Sequence, residues 1–180
     1  MPQTDSTNSF DDILALAEGG DLDAACEIAH RYRLGMGVHQ SWSSAIQWYM
    51  KAADEGALVA IVWLGRVYGG RGGMEPDPEK AMVWLNKAVE AGDTGSMCDL
   101  GLHFYNGWGV RTNRKHAAEL YREAAKLDDL WGAYLLGLCY REGHGVKKNR
   151  RWALHWLDKA ADEHPEARDM AYLIRFGGEV

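Results

Sequence analysis

Several residue groupings in this 180-residue chain have the composition of chemical sites, and each is weighed by its spacing. Three glycine-flanked turns, Gly35-Met36-Gly37, Gly107-Trp108-Gly109 and Gly143-His144-Gly145, resemble loops that cradle phosphate. Those loops follow a strand and obey a longer spacing, so turn glycines are the better reading. Seven histidines, at 30, 39, 103, 116, 144, 155 and 164, fall in no metal-binding HExxH spacing. The three cysteines, Cys26, Cys98 and Cys139, are odd in number and form no CxxC pair, which points to reduced, buried thiols. No Ser-His-Asp or Cys-His arrangement suggests a nucleophile, and no carboxylate pair stands out from the surface acids. The expectation is therefore a non-enzyme with no catalytic residue, no metal and no cofactor, and with no small-molecule substrate. One basic run, Lys147-Lys148-Asn149-Arg150-Arg151, is echoed at Arg111, Arg114 and Lys115. It could meet nucleic acid or an acidic protein, although a solvated turn needs no ligand.

Charge and composition narrow the class. Apolar residues make up 47% of the chain, enough to build a core. The net charge is −6 but unevenly placed: residues 1–100 carry 15 acids and 7 bases, residues 101–180 carry 11 acids and 13 bases. An acidic chain repels phosphate backbones, which makes nucleic acid an unlikely partner and a basic protein a better one. No apolar run approaches membrane-spanning length, and the polar start lacks the features of a signal peptide. The expectation is no membrane partner and a cytoplasmic location.

What positions all these residues is a repeat. Aromatics recur every 36 residues at Tyr32, Tyr68, Phe104, Tyr140 and Phe176. Alanines keep the same step at Ala45, Ala81, Ala117 and Ala153, and again at Ala52, Ala88, Ala124 and Ala160. A large apolar column runs Trp48, Trp84, Leu120 and Trp156, and glycines recur at Gly37, Gly73, Gly109 and Gly145. Another column reads Gly20, Gly56 and Gly92 before Asp128 and His164 take over. A period of this length marks a stack of supersecondary units.

Within each unit the apolar spacing is helical. In the fourth, Ala133, Leu136, Gly137 and Tyr140 share one face of a first helix, and Ala153, Trp156, Leu157, Ala160 and Ala161 share one face of a second. Ser41, Asp77, Asn113 and Asn149 are all N-cap types, in one column, and should start the second helices; Pro78 then occupies a first helical position. The spacing predicts a disordered tail over 1–8, a capping helix over 9–19 opened by a Ser9/Asp12 capping box, and four repeats over 21–56, 57–92, 93–128 and 129–164. A closing helix follows over 165–177. The fold class is all-α, a solenoid of helix-turn-helix units.

These residues resemble Sel-one-like repeats, relatives of the tetratricopeptide repeat, whose pattern is close to LGxxYxxGxGV followed by KAxxWYxKAAxxG. The fourth unit supplies Leu136-Gly137, Tyr140, Gly143, Gly145-Val146, Ala153, Trp156 and Lys159-Ala160-Ala161. The first supplies Tyr32, Gly35, Gly37-Val38, Ala45, Trp48-Tyr49, Lys51-Ala52-Ala53 and Gly56. Departures include Arg71-Gly72-Gly73-Met74 in the second turn, and Phe104 and Leu120 in the third unit. Some exported members carry a cysteine pair in each unit, which is not visible here.

The resemblance implies a right-handed superhelix whose first helices line a concave groove that holds a protein or peptide. By similarity to tetratricopeptide domains, the groove positions are Cys26, His30 and Arg33 in the first unit and Val62 and Arg66 in the second. The third contributes Cys98, Leu102 and Tyr105, the fourth Tyr134, Leu138 and Arg141, and Met170 and Ile174 close the groove. The function expected is an interaction module, an adaptor or scaffold. An inhibitor or immunity-type protein neutralising a basic toxin or enzyme is the alternative, with nucleic-acid binding behind it. Trp108, in a turn, is a further candidate anchor.

Overall fold

Helix starts follow from single side chains. Asp21, Ser41, Asp77, Asp93, Asn113, Asp129 and Asn149 each accept a hydrogen bond from the backbone N–H three residues on. Each such cap satisfies a donor that the helix leaves unpaired, and is worth about 1 kcal/mol. Ser9 and Asp12 close a reciprocal capping box, and Pro78 sits in a first turn, where its missing N–H costs nothing.

The computed structural model describes residues 9–71 and 74–177. The expected tail over 1–8 and the turn glycines Gly72 and Gly73 lie outside the described residues. Within them ten helices and no strand are found: α1 (Phe10–Glu18), α2 (Leu22–Leu34), α3 (Trp42–Asp54), α4 (Leu58–Tyr68), α5 (Pro78–Glu90), α6 (Thr94–Asn106), α7 (Arg114–Lys126), α8 (Leu130–Glu142), α9 (Arg150–Ala160) and α10 (Pro165–Phe176). Even-numbered helices are the first helices of the repeat and odd-numbered ones the second.

The link from a second helix to the next first helix turns on one left-handed residue. That column has φ of +97° at Gly20, +89° at Gly56, +86° at Gly92 and +62° at Asp128. Asp128 is not a glycine, and its carboxylate is met by Lys159 Nζ at 2.8 Å. At His164 the pattern breaks: φ is −120°, because the residue before a proline is held in extended backbone. Helix α10 therefore begins at Pro165, one residue ahead of the place that the 36-residue period assigns to it.

The chain divides into two compact units, residues 1–76 and 77–180. In the first, α1 packs on α2, α2 on α3 and α3 on α4, burying Ile13, Ala17, Ile28, Ala29, Ala45, Tyr49 and Leu64. Helix α1 takes the place of a second helix. Lys51 Nζ donates to the Ala17 carbonyl at 3.0 Å, as Lys159 donates to Ala125 at 2.8 Å three periods later.

In the second unit α5 to α10 pack in sequence, and α6 also touches α8 directly. Its core joins Met97, Cys98, Tyr121, Leu136, Cys139 and Leu157 with a run of alanines. Close approach depends on glycine: a Cβ added to Gly101 would lie 2.4 Å from the Tyr121 ring, and one added to Gly137 would lie 2.8 Å from Leu157.

These contacts correct the expected packing column. The fully buried large residues are Tyr49, Leu85, Tyr121 and Leu157, each one position after Trp48, Trp84, Leu120 and Trp156. The tryptophans are only half-buried, and a lysine three residues on covers each ring: Lys51 at 4.8 Å, Lys87 at 4.2 Å and Lys159 at 5.7 Å. Each indole rests at the edge of the core with its face covered by that ammonium.

Candidate functional site

Helical geometry places residues three and four apart on one face, so the groove positions of each first helix form a short stripe. In the second unit, Leu102 and Tyr105 on α6, Tyr134, Leu138 and Arg141 on α8, and Met170 and Ile174 on α10 are all half-buried. Cys98 is fully buried in the core, so its thiol is no part of an open face. Because α6 packs directly against α8, the two stripes belong to neighbouring helices with no second helix between them.

The polar atoms of this face are tied down. The Tyr105 hydroxyl and His144 Nδ1 share a 2.6 Å hydrogen bond, and the Arg114 guanidinium lies 5.2 Å from the Tyr105 ring centre. Tyr134 packs in a trio with Trp131 and His164, its ring centre 5.2 Å and 6.1 Å from theirs. Arg141 Nε pairs with Glu142 at 2.6 Å, and its Nη1 contacts the Met170 sulfur. Rigid aromatics with a held arginine lose little freedom on binding, which suits them to be anchors.

In the first unit the face is built around a residue that the repeat pattern does not single out. Trp63 on α4 lies parallel to the buried Tyr49 ring at 6.3 Å and carries the Arg33 guanidinium 4.0 Å above it, with Arg66 at 5.7 Å. His30 Nδ1 meets Arg33 Nη2 at 3.0 Å. His30, Arg33, Arg66 and Cys26 are half-buried, whereas Val62 is 7% exposed and contributes to the core. Burial raises the Tyr49 phenol above its usual range, with Arg33 opposing the shift. Position 63 has no repeated chemistry, since its equivalents are Glu27, Asp99 and Leu135. Only the fold reveals that its ring bridges the two arginines.

The thiols are held as thiols. Desolvation pushes Cys98 far up, aided by the nearby Asp129 carboxylate, and raises Cys139 to about 11. Neither is poised as a nucleophile. Among the described residues no three His, Cys, Asp or Glu side chains gather as metal ligands, and no helix is long and apolar enough to cross a membrane.

Comparison with known proteins places this architecture. No curated protein matches the chain. Among solved structures, a Sel1 repeat protein from Oxalobacter formigenes is similar at a TM-score of 0.86 and 26% identity, over 94% of this chain and 68% of that one. A protective antigen present in uropathogenic Escherichia coli strains, displaying an SLR fold, gives 0.85 at 29% identity over 95% of this chain. This chain spans only 37% of that antigen. Cysteine rich protein B of Helicobacter pylori gives 0.58 at 27% identity, over 76% of this chain and 98% of that protein. The solenoid of helical repeats expected from the period is the fold these structures share. The Sel1 repeat model matches residues 22–56, 58–93, 94–129 and 132–164, four segments in step with the hairpins described above, and the chain belongs to the Sel1 repeat family.

Proposed function

We propose that the chain is an adaptor or scaffold of the cytoplasm whose first helices hold a protein or peptide. Sel1 repeat proteins are generally protein-interaction modules, and the fold is typically a non-catalytic scaffold. The residues assigned to binding are Leu102, Tyr105, Tyr134, Leu138, Arg141 and Ile174 in the second unit, with His30, Arg33 and Arg66 on the equivalent face of the first; Val62, buried in the core, is no part of it. The observation that carries this reading is the direct packing of α6 on α8, which sets two half-buried stripes of Tyr, Leu and Arg on adjacent helices. Tyrosine and arginine dominate interface energetics, and solenoids bind on extended faces of this kind.

The test is capture of a specific polypeptide by the purified chain, followed by Tyr134→Ala combined with Arg141→Ala. Weaker capture with an unchanged helical spectrum is the expected result. Unchanged capture would remove the groove assignment. A second reading, an inhibitor of a basic toxin or enzyme, draws on the 15 acids against 7 bases in residues 1–100. It requires binding that weakens with salt, because exposed charges are screened within about 8 Å at physiological ionic strength.

A further inference from the structure

We propose that the two helix-linking turns of the second unit form a separate docking site for an acidic polypeptide segment that carries an apolar side chain. The proposal does not depend on the groove assigned above. Residues 107–115 and 143–152 together hold seven lysines and arginines and no carboxylate, in a chain of net charge −6. Four of these cations, Arg114, Lys115, Arg150 and Arg151, occupy the first two positions of α7 and α9. A helix start carries partial positive charge, so a cation there is destabilising. Stability alone would place acids there, as α1 does with Asp11 and Asp12 and α5 with Glu79.

The fold joins these two stretches into one patch. A Cβ added to Gly145 would lie 1.9 Å from the Arg114 carbonyl oxygen and 2.8 Å from the Lys115 nitrogen, so the second turn rests flat on the start of α7. Lys115, Lys147, Lys148 and Arg151 are left exposed beside it. Arg150 is otherwise engaged, donating to the Ile174 carbonyl at 2.6 Å.

Each turn also presents a half-exposed, immobilised tryptophan. Trp108 is 50% exposed, with its ring edge-on to His103 and its carbonyl 3.0 Å from His103 Nδ1. Trp152 is 47% exposed and packs roughly parallel to Tyr140 at 6.2 Å and to Trp156 at 6.5 Å. Ordered tryptophan beside arginine is the composition of a binding hot spot, and pre-ordering lowers the entropy lost on association.

Charge complementarity selects an acidic occupant, and the extent of the patch selects a polypeptide. Two neighbouring turns span on the order of 10 Å, the spacing of packed helices, which is room for only two or three phosphates. Exposed Glu119, Glu123 and Glu142 lie further along α7 and α8 and bound the patch, so a strand charged at every nucleotide would run onto them whereas a short acidic segment need not. A segment of carboxylates around an apolar residue matches both the cations and the tryptophan rings.

The experiment measures fluorescence anisotropy of a short labelled peptide of glutamates flanking two leucines, titrated with the full chain at low salt. Binding should weaken about tenfold in the surface variant Lys148→Glu/Arg151→Glu, and weaken also as salt is raised to physiological strength. The Tyr134→Ala/Arg141→Ala variant should bind this peptide as the parent does, which separates this site from the groove. No binding at low salt, full affinity in the charge-reversed variant with its helical spectrum intact, or tighter binding of an oligothymidylate of matching length would each overturn the proposal.

Discussion

Gly37 and Gly145 stand three periods apart with nearly the same backbone, φ +73° and +75°, yet their surroundings differ completely. A Cβ added to Gly37 meets nothing within 4 Å, whereas one added to Gly145 overlaps the Arg114 carbonyl oxygen at 1.9 Å and carbon at 2.4 Å. Gly37→Ala should therefore cost only the left-handed backbone preference, about 1 kcal/mol. Gly145→Ala carries the same penalty and a backbone overlap that no side-chain rotation can relieve. Relief requires lifting the turn from α7, and overpacking of that kind costs about 1–3 kcal/mol, for a total of roughly 2–4 kcal/mol. Urea unfolding followed by helical circular dichroism measures both variants, with the m-value showing whether cooperativity survives. Hydrogen exchange at the first-turn amides of α7 should quicken in Gly145→Ala alone. Equal losses in the two variants would refute the stacking of the turns, and with it the merging of their cations into one patch.

Four further outcomes follow from buried and half-buried groups. Cys98 and Cys139 should resist alkylation at mildly alkaline pH in the folded protein and react once it is unfolded, as a timed thiol assay would record. Because burial raises Cys139 from 9.0 to about 11, its unfolded form ionises first. Its contribution to stability is complete below about pH 9 and is lost as pH rises toward 11, visible as a falling urea midpoint. The buried Tyr121 hydroxyl has no hydrogen-bond partner among the described residues, so Tyr121→Phe should raise stability by about 1 kcal/mol in the same unfolding assay. Trp63→Ala removes the ring between Arg33 and Arg66, and should lower stability by about 2 kcal/mol and loosen Arg33, seen as broadened guanidinium signals in NMR spectra.

The period of 36, the helix boundaries and the repeat class were legible in the chain alone, because each depends on local chemistry that recurs. Ser41, Asp77, Asn113 and Asn149 cap helices through a backbone N–H three residues away, so the cap needs no knowledge of the rest of the fold. Burial was less legible. Trp48, Trp84 and Trp156 were the conspicuous column, but Tyr49, Leu85, Tyr121 and Leu157 fill the core, the last two aimed at the close approaches that Gly101 and Gly137 allow. Helix α10 starts at Pro165, one residue ahead of the period, because a proline after His164 disfavours the left-handed turn that Asp128 adopts, a local rule that the His-Pro dipeptide itself carries. Tertiary structure alone set Trp63 under two arginines, buried Val62 and Cys98, and laid Gly145 on the start of α7. Those outcomes depend on which helices meet and how closely, and a distance between residues 30 or 31 positions apart is written nowhere in their spacing along the chain.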